Sequence, residues 1–510
     1  MMKYSNPVIP GFYPDPSICR VDEDYYLVTS TFEYAPGVPI FHSRDLVHWR
    51  QIGHVLTSDQ QIVLANAWVS GGIYAPTLRH HDGWFYMITT NVSAGGNLYV
   101  RSRQPEGPWS EPVYVDQKGI DPSLLFDEDD RIYFQSACNG SEGEGIYQCE
   151  IDIETGERLT DSRFIWKGTG GAAPEAPHLY KVNGMYYLMI AEGGTEYGHM
   201  VTIARSNDPY GPYEACPANP ILSNRSMKTS IHATGHADLI QIQDGSWWAV
   251  CLGIRPAAYP LRHHLGRETF LAPVTWTEDG WPIIGNNGHI EPVMTGPQLP
   301  ETPWPSPAVR DHFDLPTLGP GWVFLRNPAP GSWSLTSNRG HLTLCGNSLS
   351  LHDQGNPAFV GRRLSHFQCS IAAGLDYEPL QEEEEAGLTV FMNGKYHYDL
   401  AIKQIHGQKK VIFRRTVGSL QTEQIHDCGT GPVRLKIQTD RNQFTFFLQH
   451  GLGEDILIGS GETHLLSTEV AGGFTGIIIA MYAHAPSGAG TPAQFDWFDY
   501  EPQEETRTNH

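Results

Sequence analysis

The sequence predicts an all-β protein in which a five-bladed β-propeller is followed by a β-sandwich. Its 510 residues include 53 glycines and 37 prolines, and 11% are aromatic. This composition favours many short strands joined by tight turns over long helices. A pattern of paired hairpins then recurs along the first part of the chain, and a proline-rich segment leads into a second region of alternating strands. A chain of this length is also too long for one ordinary core.

The repeat opens with a hairpin. Each unit has a small or charged residue, often before proline, followed by an apolar stretch, a polar turn and an aromatic-rich strand. Asp, Asn and Gly in the turns tolerate the positive φ angles that tight hairpins need. The five segments are "YPDPSICRVDEDYYLVT", "YAPTLRHHDGWFYMIT", "GIDPSLLFDEDDRIYFQ", "PEAPHLYKVNGMYYLMI" and "GHADLIQIQDGSWWAVC".

A second hairpin-like unit follows each of the first. These units are "FHSRDLVHWRQIG", "LYVRSRQPEGPWSEP", "IYQCEIDIETGERLTD", "VTIARSNDPYGPYEACP" and "FLAPVTWTEDGWPII". Four strands in each of five units predict a five-bladed propeller. An irregular sandwich with coincidental hairpins is the alternative, and the regular alternation of the two markers argues against it.

Superposing the units makes five positions equivalent: Asp15, Ala75, Asp121, Glu175 and His236. The first strand of each blade lines the propeller axis, so we expect these positions to face one another at one end of the channel. Three of them are carboxylic acids, and like charges in a desolvated space raise at least one pKa. Two carboxyl groups in different environments are typical of glycoside hydrolysis. A Ca²⁺ or Zn²⁺ site is the competing use of such a cluster.

Other side chains near this rim favour a sugar ligand. Phe32, Tyr74 and the Trp68 region are candidates for stacking on a sugar ring, although an aromatic residue is more often part of a core. Arg267, in "LGRETF", could contact two vicinal hydroxyls with its forked guanidinium. The alternative for Arg267 is a structural ion pair with a nearby acid.

The net charge and the N-terminal sequence limit the partners and the cellular location that we expect for this protein. The net charge of −23 argues against nucleic acid and anionic membranes as partners. No segment is long and apolar enough to predict a membrane span, and the first residues lack a signal-peptide core, so we expect a cytoplasmic protein unless a leader has been removed. The eight cysteines are scattered and predict neither a disulfide framework nor a zinc knuckle. The run Glu382–Glu385 is interpreted as a solvated loop without function.

The segment "NPVIPGFYPDPSICRVDEDYYLVTSTFEYAPGVPIFHSRDLVHW" resembles the start of glycoside hydrolase family 43 enzymes of the β-xylosidase and α-L-arabinofuranosidase kind. "SGGIYAPTLR", "GIDPSLLFD", "PEAPHLY", "TGHADL" and "LGRETFL" follow in the order typical of that family. The resemblance covers the whole propeller and continues into the C-terminal region.

The resemblance implies an inverting mechanism and a role for each acid. Asp15 matches the general base that activates water, and Glu175 matches the general acid. Asp121 matches the residue that orients the acid and raises its pKa. In an inverting glycosidase the two working carboxyl groups stand about 6.5–9.5 Å apart, which leaves room for water.

The resemblance also implies substrate-binding residues. Phe32 matches a subsite aromatic residue, and Arg267 matches an arginine that contacts substrate hydroxyls. His236 matches a histidine near the axis that either helps to hold Ca²⁺ through water or lines the sugar pocket. Relatives often carry Trp where this chain has Tyr74, so the wall on which the sugar stacks differs here. Phe474, in "GGFTG", matches a residue of the second domain that helps to close the pocket.

The predicted organisation is a propeller over 1–296, a linker over 297–309 and a β-sandwich of the concanavalin-like type over 310–510. The linker lies in "GPQLPETPWPSPA", whose five prolines predict a semi-rigid connector. Alternating segments such as "KKVIFRRTV" and "AQFDWFDYEP" predict the strands of the sandwich. An independent carbohydrate-binding role for this domain is one interpretation. The resemblance favours packing on the propeller instead.

The leading functional hypothesis is an exo-acting glycosidase that removes terminal xylose or arabinose from small hemicellulose fragments, with an oligosaccharide as its partner. The chemistry requires no cofactor, while a structural Ca²⁺ in the propeller axis and a homo-oligomeric state are left open. One alternative is an arabinanase or arabinofuranosidase acting on longer or branched chains. Another is a non-catalytic sugar-binding propeller, against which the presence of all three acids argues.

Overall fold

A computed structural model describes residues 2–257 and 259–503. Within these residues the chain is almost entirely strands and turns, which confirms the all-β prediction. The helices among them are one turn of 3-10 helix, Thr463–Leu466, and one short α-helix, Thr468–Ala471. No helix in this part of the chain has the length and apolar character needed to cross a membrane.

Five four-stranded antiparallel sheets follow one another along the chain, and we name them blades 1 to 5. Blade 1 contains Ser17–Val21, Asp24–Val28, Gly37–Ser43 and Arg50–Leu56; blade 2 contains Thr77–His81, Trp84–Asn91, Gly96–Ser102 and Val113–Tyr114; blade 3 contains Ile120–Phe126, Ile132–Gly140, Gly143–Glu150 and Arg163–Trp166; blade 4 contains Glu175–Val182, Met185–Glu192, Met200–Ser206 and Glu214–Ala215; blade 5 contains His232–Gln241, Trp247–Ile254, Glu268–Trp276 and Pro282–Ile284. Lys3–Ser5 pairs with Val293–Thr295 in a further small sheet. The five-bladed propeller prediction is confirmed.

The turn residues of the sequence produce the hairpins. In blade 2, Asp82 and Gly83 adopt φ angles of 48° and 72°, and the strands pair immediately on either side of them. Two consecutive positive φ values give the turn whose twist matches that of the flanking strands. Asn183 and Gly184 do the same in blade 4, with φ angles of 51° and 80°.

A buried polar network holds the first strands of several blades together. The Asp238 carboxylate of blade 5 accepts hydrogen bonds from Ser17 of blade 1 at 2.6 Å and from Tyr180 of blade 4 at 2.7 Å. Arg79 of blade 2 forms an ion pair with the same carboxylate at 2.8 Å. A buried charge is stable only when it is paired and hydrogen-bonded. This network therefore fixes the relative position of four blades close to the predicted site residue His236.

The second region is a sandwich of two eight-stranded sheets. One sheet contains Trp333–Ser334, Leu342–Leu344, Ala493–Pro502, Cys369–Asp376, Val433–Thr439, Gln443–His450 and Ile456–Glu462, with Arg310–Asp311 paired to Ala493–Pro502; the other contains Leu420–Asp427, Gln408–Val417, Tyr396–Ile405, Glu385–Asn393, Ile478–His484, Ala358–Arg363, Trp322–Leu325 and Tyr34–Ala35. Apolar side chains of both sheets form one core between them. The β-sandwich prediction is confirmed.

One strand of the sandwich comes from the propeller. Tyr34–Ala35, in the connection within blade 1, pairs antiparallel with Trp322–Leu325. The backbone N–H of Arg326 donates to the carbonyl oxygen of Glu33 at 2.8 Å. Backbone hydrogen bonds therefore join the two domains directly after Phe32, which is a predicted site residue.

The interpretation of the Glu382–Glu385 run is wrong for its second half. Glu384 and Glu385 are buried, at 0% and 4% exposure. Glu384 accepts hydrogen bonds from the backbone of Gln381 and Thr491, and Glu385 forms a two-pronged ion pair with Arg414. The buried guanidinium of Arg414 needs a counter-ion, and Glu385 supplies it. An acidic run that looks solvated in the sequence is therefore partly buried in the structure.

Candidate active site

The structure places the three predicted acids on the axial strands of three blades. Asp15 lies just before blade 1, Asp121 lies in the first strand of blade 3, and Glu175 begins blade 4. Asp15 and Asp121 are 4% and 7% exposed. The backbone N–H of Ala176, the residue after Glu175, donates to Oδ2 of Asp121 at 3.2 Å. Residues far apart in the chain are thus brought to one buried location.

The predicted equivalence of Glu175 with Asp15 is wrong by one residue. Positive φ recurs at the same position of four units, at Asp15 (57°), Asp121 (52°), Ala176 (53°) and His236 (47°). The pairing of the first two strands shifts between Ile120 and Ser123 in blade 3, and between Glu175 and His178 in blade 4. Ala176 is therefore the equivalent of Asp121, and Glu175 is the equivalent of Ile120. A proline follows Asp15, Asp121 and Ala176. This proline therefore identifies the equivalent positions of the units better than the acidic residue does.

Asp15 is held as a buried carboxylate. Its Oδ1 lies 2.8 Å from Nη1 of Arg267 and 3.6 Å from Nδ1 of His236, and its Oδ2 accepts a hydrogen bond from Ser30 at 2.5 Å. Burial favours the neutral acid, but the charge of Arg267 and the contacts with His236 and Ser30 outweigh it and lower the pKa of Asp15. Asp15 is consequently ionised at neutral pH. The ion-pair interpretation of Arg267 is thus realised in this structure.

The other two acids have the opposite electrostatic environment. Burial, together with the negative charge of Asp15, raises the pKa of Glu175 to about 7. Burial and the neighbouring charges of Glu175 and Asp15 raise the pKa of Asp121 well above its usual range. The pair Asp121 and Glu175 therefore retains a proton under conditions in which Asp15 has lost its own.

Aromatic rings from both domains form a wall beside the acids. The ring of Phe32 lies 5.3 Å from that of Tyr74 and 5.9 Å from that of Phe474, measured between centroids. The guanidinium of Arg267 lies 5.5 Å from the Phe32 ring and 5.6 Å from the Phe474 ring. Phe474 comes from the sandwich and is 38% exposed. The structure therefore brings Phe32, Tyr74 and Phe474 together beside Arg267, which binds Asp15.

His236 is buried against Asp15, and burial lowers its pKa, so the imidazole is neutral. Among residues 2–257 and 259–503, no group of three or more His, Cys, Asp or Glu side chains is arranged to hold a metal ion directly. A Ca²⁺ bound at His236 through water stays a prediction.

Trp68 is 49% exposed on the surface, and the ring contacts of the wall do not include it.

Sequence reasoning missed three residues of this site. Ser30 binds Asp15, and Thr195 accepts a hydrogen bond from Nη1 of Arg267 at 3.1 Å. His199 is fully buried beside the axis, and a Cβ on Gly235 would lie 1.9 Å from its ring. Gly235 before His236 was a signal for a side chain packed against that backbone. Ser30 and Thr195 sit in polar loops that carry no comparable signal.

One ionised acid, two acids with raised pKa values and an aromatic wall, all at the axis of a propeller, define a carbohydrate-processing hydrolase of the glycosidase class. Residues 4–282 match the model of the Glycosyl hydrolases family 43, and residues 310–501 match that of the Beta xylosidase C-terminal Concanavalin A-like domain. The chain therefore belongs to glycosyl hydrolase family 43, and the resemblance seen in its motifs is confirmed.

Known proteins are similar along the whole chain. The Non-reducing end alpha-L-arabinofuranosidase BoGH43B of Bacteroides ovatus is 47% identical over 98% of this chain and 94% of its own. A Xylosidase/arabinosidase of Butyrivibrio fibrisolvens is 38% identical over 95% of this chain and 96% of its own. The solved structure of Bacteroides ovatus Xyloglucan PUL GH43B superposes with a TM-score of 0.95 at 45% identity, covering 98% of this chain and all (100%) of that one. The prediction of a glycosidase is confirmed.

Proposed function

We propose that this glycosidase is exo-acting and inverting and removes a terminal pentose from hemicellulose oligosaccharides. The observation that carries the proposal is that Arg267 pairs with Asp15 at 2.8 Å and lowers its pKa, whereas burial and the charge of Asp15 raise the pKa of Glu175 in the same site. Inversion needs a base that takes a proton from water on one side of the sugar and an acid that gives a proton to the departing oxygen on the other.

Asp15 is the proposed base. Each of its carboxylate oxygens already accepts one hydrogen bond, Oδ1 from Arg267 and Oδ2 from Ser30. A carboxylate oxygen has a second acceptor site, so Asp15 can still receive a proton from a water molecule. Arg267 and Ser30 hold the carboxylate in one orientation and keep it ionised, which is what a general base requires before substrate arrives.

Glu175 is the proposed acid. A pKa of about 7 keeps the group largely protonated in weakly acid solution and still able to give up its proton to a glycosidic oxygen. Asp121 accepts a hydrogen bond from the backbone N–H next to Glu175. Asp121 thereby fixes the start of blade 4, while burial and the negative charge of Asp15 keep Glu175 protonated.

The aromatic wall supports attack on chain ends. Phe474 reaches the propeller from the sandwich and contacts Phe32, Tyr74 and Arg267. A wall supplied by a second domain limits the room around the acids, which suits a terminal sugar better than the interior of a long chain. Phe32 and Tyr74 offer ring faces to the apolar side of a pentose.

Terminal α-L-arabinofuranose is the first candidate sugar, because the relative with 47% identity is named for that activity. Terminal β-D-xylose is the second, because a relative with 38% identity is named for both activities. The two sugars place similar hydroxyls in a similar volume, so the shape of the pocket decides between them.

The test is release of 4-nitrophenol from the α-L-arabinofuranoside and the β-D-xylopyranoside, measured side by side, with Asp15→Asn as the control. Activity on either sugar that the variant loses supports the proposal and ranks the two candidates. If the folded wild-type protein released neither sugar, from these substrates or from short arabinoxylan oligosaccharides, the proposal would be wrong.

A further inference from the structure

The segment that carries Phe474 leaves the sandwich through two consecutive glycines. The helix Thr468–Ala471 is followed by Gly472 and Gly473, with φ angles of 73° and 86°. Two consecutive glycines in this region allow many backbone conformations. Among the described residues of the propeller, two make polar contacts with Phe474: Ser70 accepts its N–H at 2.8 Å, and Arg267 donates to its carbonyl oxygen at 3.3 Å. The helix before the two glycines supplies a further anchor to the propeller.

Glu469, within that helix, makes such an anchor. Its Oε1 lies 2.7 Å from Nδ1 of His263 and accepts a hydrogen bond from the Tyr197 hydroxyl at 2.8 Å. Its Oε2 accepts the backbone N–H of His263 at 2.9 Å. Burial opposes the charge, but these contacts outweigh it and lower the pKa of Glu469 to about 2. A carboxylate with three such partners is a strong, directional link.

The partners of Glu469 belong to the segments that shape the sugar pocket. His263 precedes Arg267 by four positions, and its carbonyl oxygen also accepts the N–H of Thr468 at 3.0 Å. Tyr197 lies in the turn that contains Thr195, the residue bound to Arg267. Glu469 therefore lies where the Phe474 segment, the Arg267 segment and the Thr195 turn meet.

We propose that Glu469 is a positioning residue that holds Phe474 over the sugar pocket by tying its segment to His263 and Tyr197 of the propeller. This inference rests on the proposed function, since it assigns Phe474 to the wall against which the terminal sugar binds. Glu469 is hydrogen-bonded to His263 and Tyr197 and not to the three acids, and the effect proposed for it on the reaction is the placement of Phe474.

A double-mutant cycle tests the inference with the 4-nitrophenyl pentosides. Phe474→Ala and Glu469→Ala should each raise KM about tenfold while kcat changes less, because both remove a wall used by bound substrate. Glu469→Ala added to Phe474→Ala should lower kcat/KM by less than about twofold more, because the ring it places is already gone. Glu469→Gln keeps an acceptor for Tyr197 and should fall between wild type and Glu469→Ala.

The matched control is Glu378→Gln, which removes an ion pair with Lys409 of 2.6 Å on the sandwich surface and should leave KM unchanged. Additive effects in the cycle would overturn the inference, as would an unchanged KM in Glu469→Ala accompanied by a lower melting temperature. These failures differ from failure of the proposed function, in which the wild-type protein itself would release no pentose.

Discussion

Replacing Glu175 with Gln should affect natural and activated substrates to different extents. The amide has nearly the shape of the acid but cannot give a proton to the departing oxygen. A sugar leaving group needs that proton, whereas 4-nitrophenolate leaves readily without it. Loss of a general acid costs about 10²–10⁴-fold in rate. We therefore expect a loss of about 10³-fold or more on short pentose oligosaccharides and a much smaller loss on 4-nitrophenyl pentosides.

The same substitution has a predicted effect on stability that can be worked out from the site. The pKa of Glu175 is raised from 4.5 to about 7, so the folded state binds this proton more tightly than the unfolded state. Stability from the raised pKa is present below pH 4.5 and is lost as the pH rises through about 7. A full shift of this size corresponds to about 3 kcal/mol, and the partial exposure of Glu175 and its coupling to Asp121 reduce the expectation to roughly 1–2 kcal/mol.

Gln has no proton to lose, so the variant should gain stability relative to wild type as the pH is raised. Denaturant unfolding at pH 5 and pH 8 measures the difference. Asp15→Asn is the matched control, because the pKa of Asp15 is lowered by Arg267, its charge stabilises the folded state at both pH values, and the variant should be destabilised equally at pH 5 and pH 8. Equal rate losses on both leaving groups, or a stability difference independent of pH, would refute the assignment of Glu175 as a buried proton donor.

The remaining predictions concern the base, the pH profile and the metal. Asp15→Asn should lose activity equally on both kinds of substrate, since water must be activated whatever the leaving group, and a larger loss on natural oligosaccharides would argue against its role as base. The activity of wild type should be bell-shaped with pH, with an alkaline limb near pH 7 set by Glu175; a flat profile from pH 5 to 8 would contradict the assignment. Treatment with EDTA should leave kcat unchanged because no step of the proposed reaction needs a metal, and a loss restored by Ca²⁺ would contradict this and favour the predicted Ca²⁺ site. Arg267→Lys should raise the pKa of Asp15 and move the acid limb upward, as a single ammonium nitrogen cannot take the place of Nη1, which binds Asp15 and Thr195, and of Nη2, which binds the carbonyl oxygen of Phe474; an unmoved acid limb would contradict this.

Much of the fold could be predicted because its signals are local. The Asp-Gly and Asn-Gly turns fix hairpins whatever surrounds them, and Asp82 and Gly83 adopt the φ angles that their residue types favour. Because the pair of hairpins recurs five times along the chain, these weak local signals together predict a five-bladed propeller. What the sequence could not indicate is the pairing of Tyr34–Ala35 with the sandwich, because a two-residue strand has no periodicity and its partner lies almost 300 residues away.

The residues of the site could be predicted better than the contacts between them. Asp15 and Arg267 were each assigned from their own neighbours, but their ion pair depends on a meeting of the two ends of the propeller. Glu384 and Glu385 show the reverse case, in which a local rule for charge runs fails because a buried Arg414 requires a counter-ion. A long-range pair is determined by tertiary packing, and no local pattern specifies it.

The one-residue offset of Glu175 bears directly on how a fivefold repeat supports asymmetric chemistry. Asp15 and Asp121 occupy equivalent positions with φ angles of 57° and 52°, whereas the equivalent position of blade 4 is Ala176. Had an aspartate stood at Ala176, three like side chains would have presented equivalent carboxylates to one axis, with little to separate their pKa values except neighbours. Moving the acid one position back and lengthening it to Glu places the carboxyl group differently from the other two, while the backbone N–H of Ala176 binds Asp121. The offset thus removes Glu175 from the Arg267 contact that keeps Asp15 ionised, and this separation permits a base and an acid to coexist in one small site.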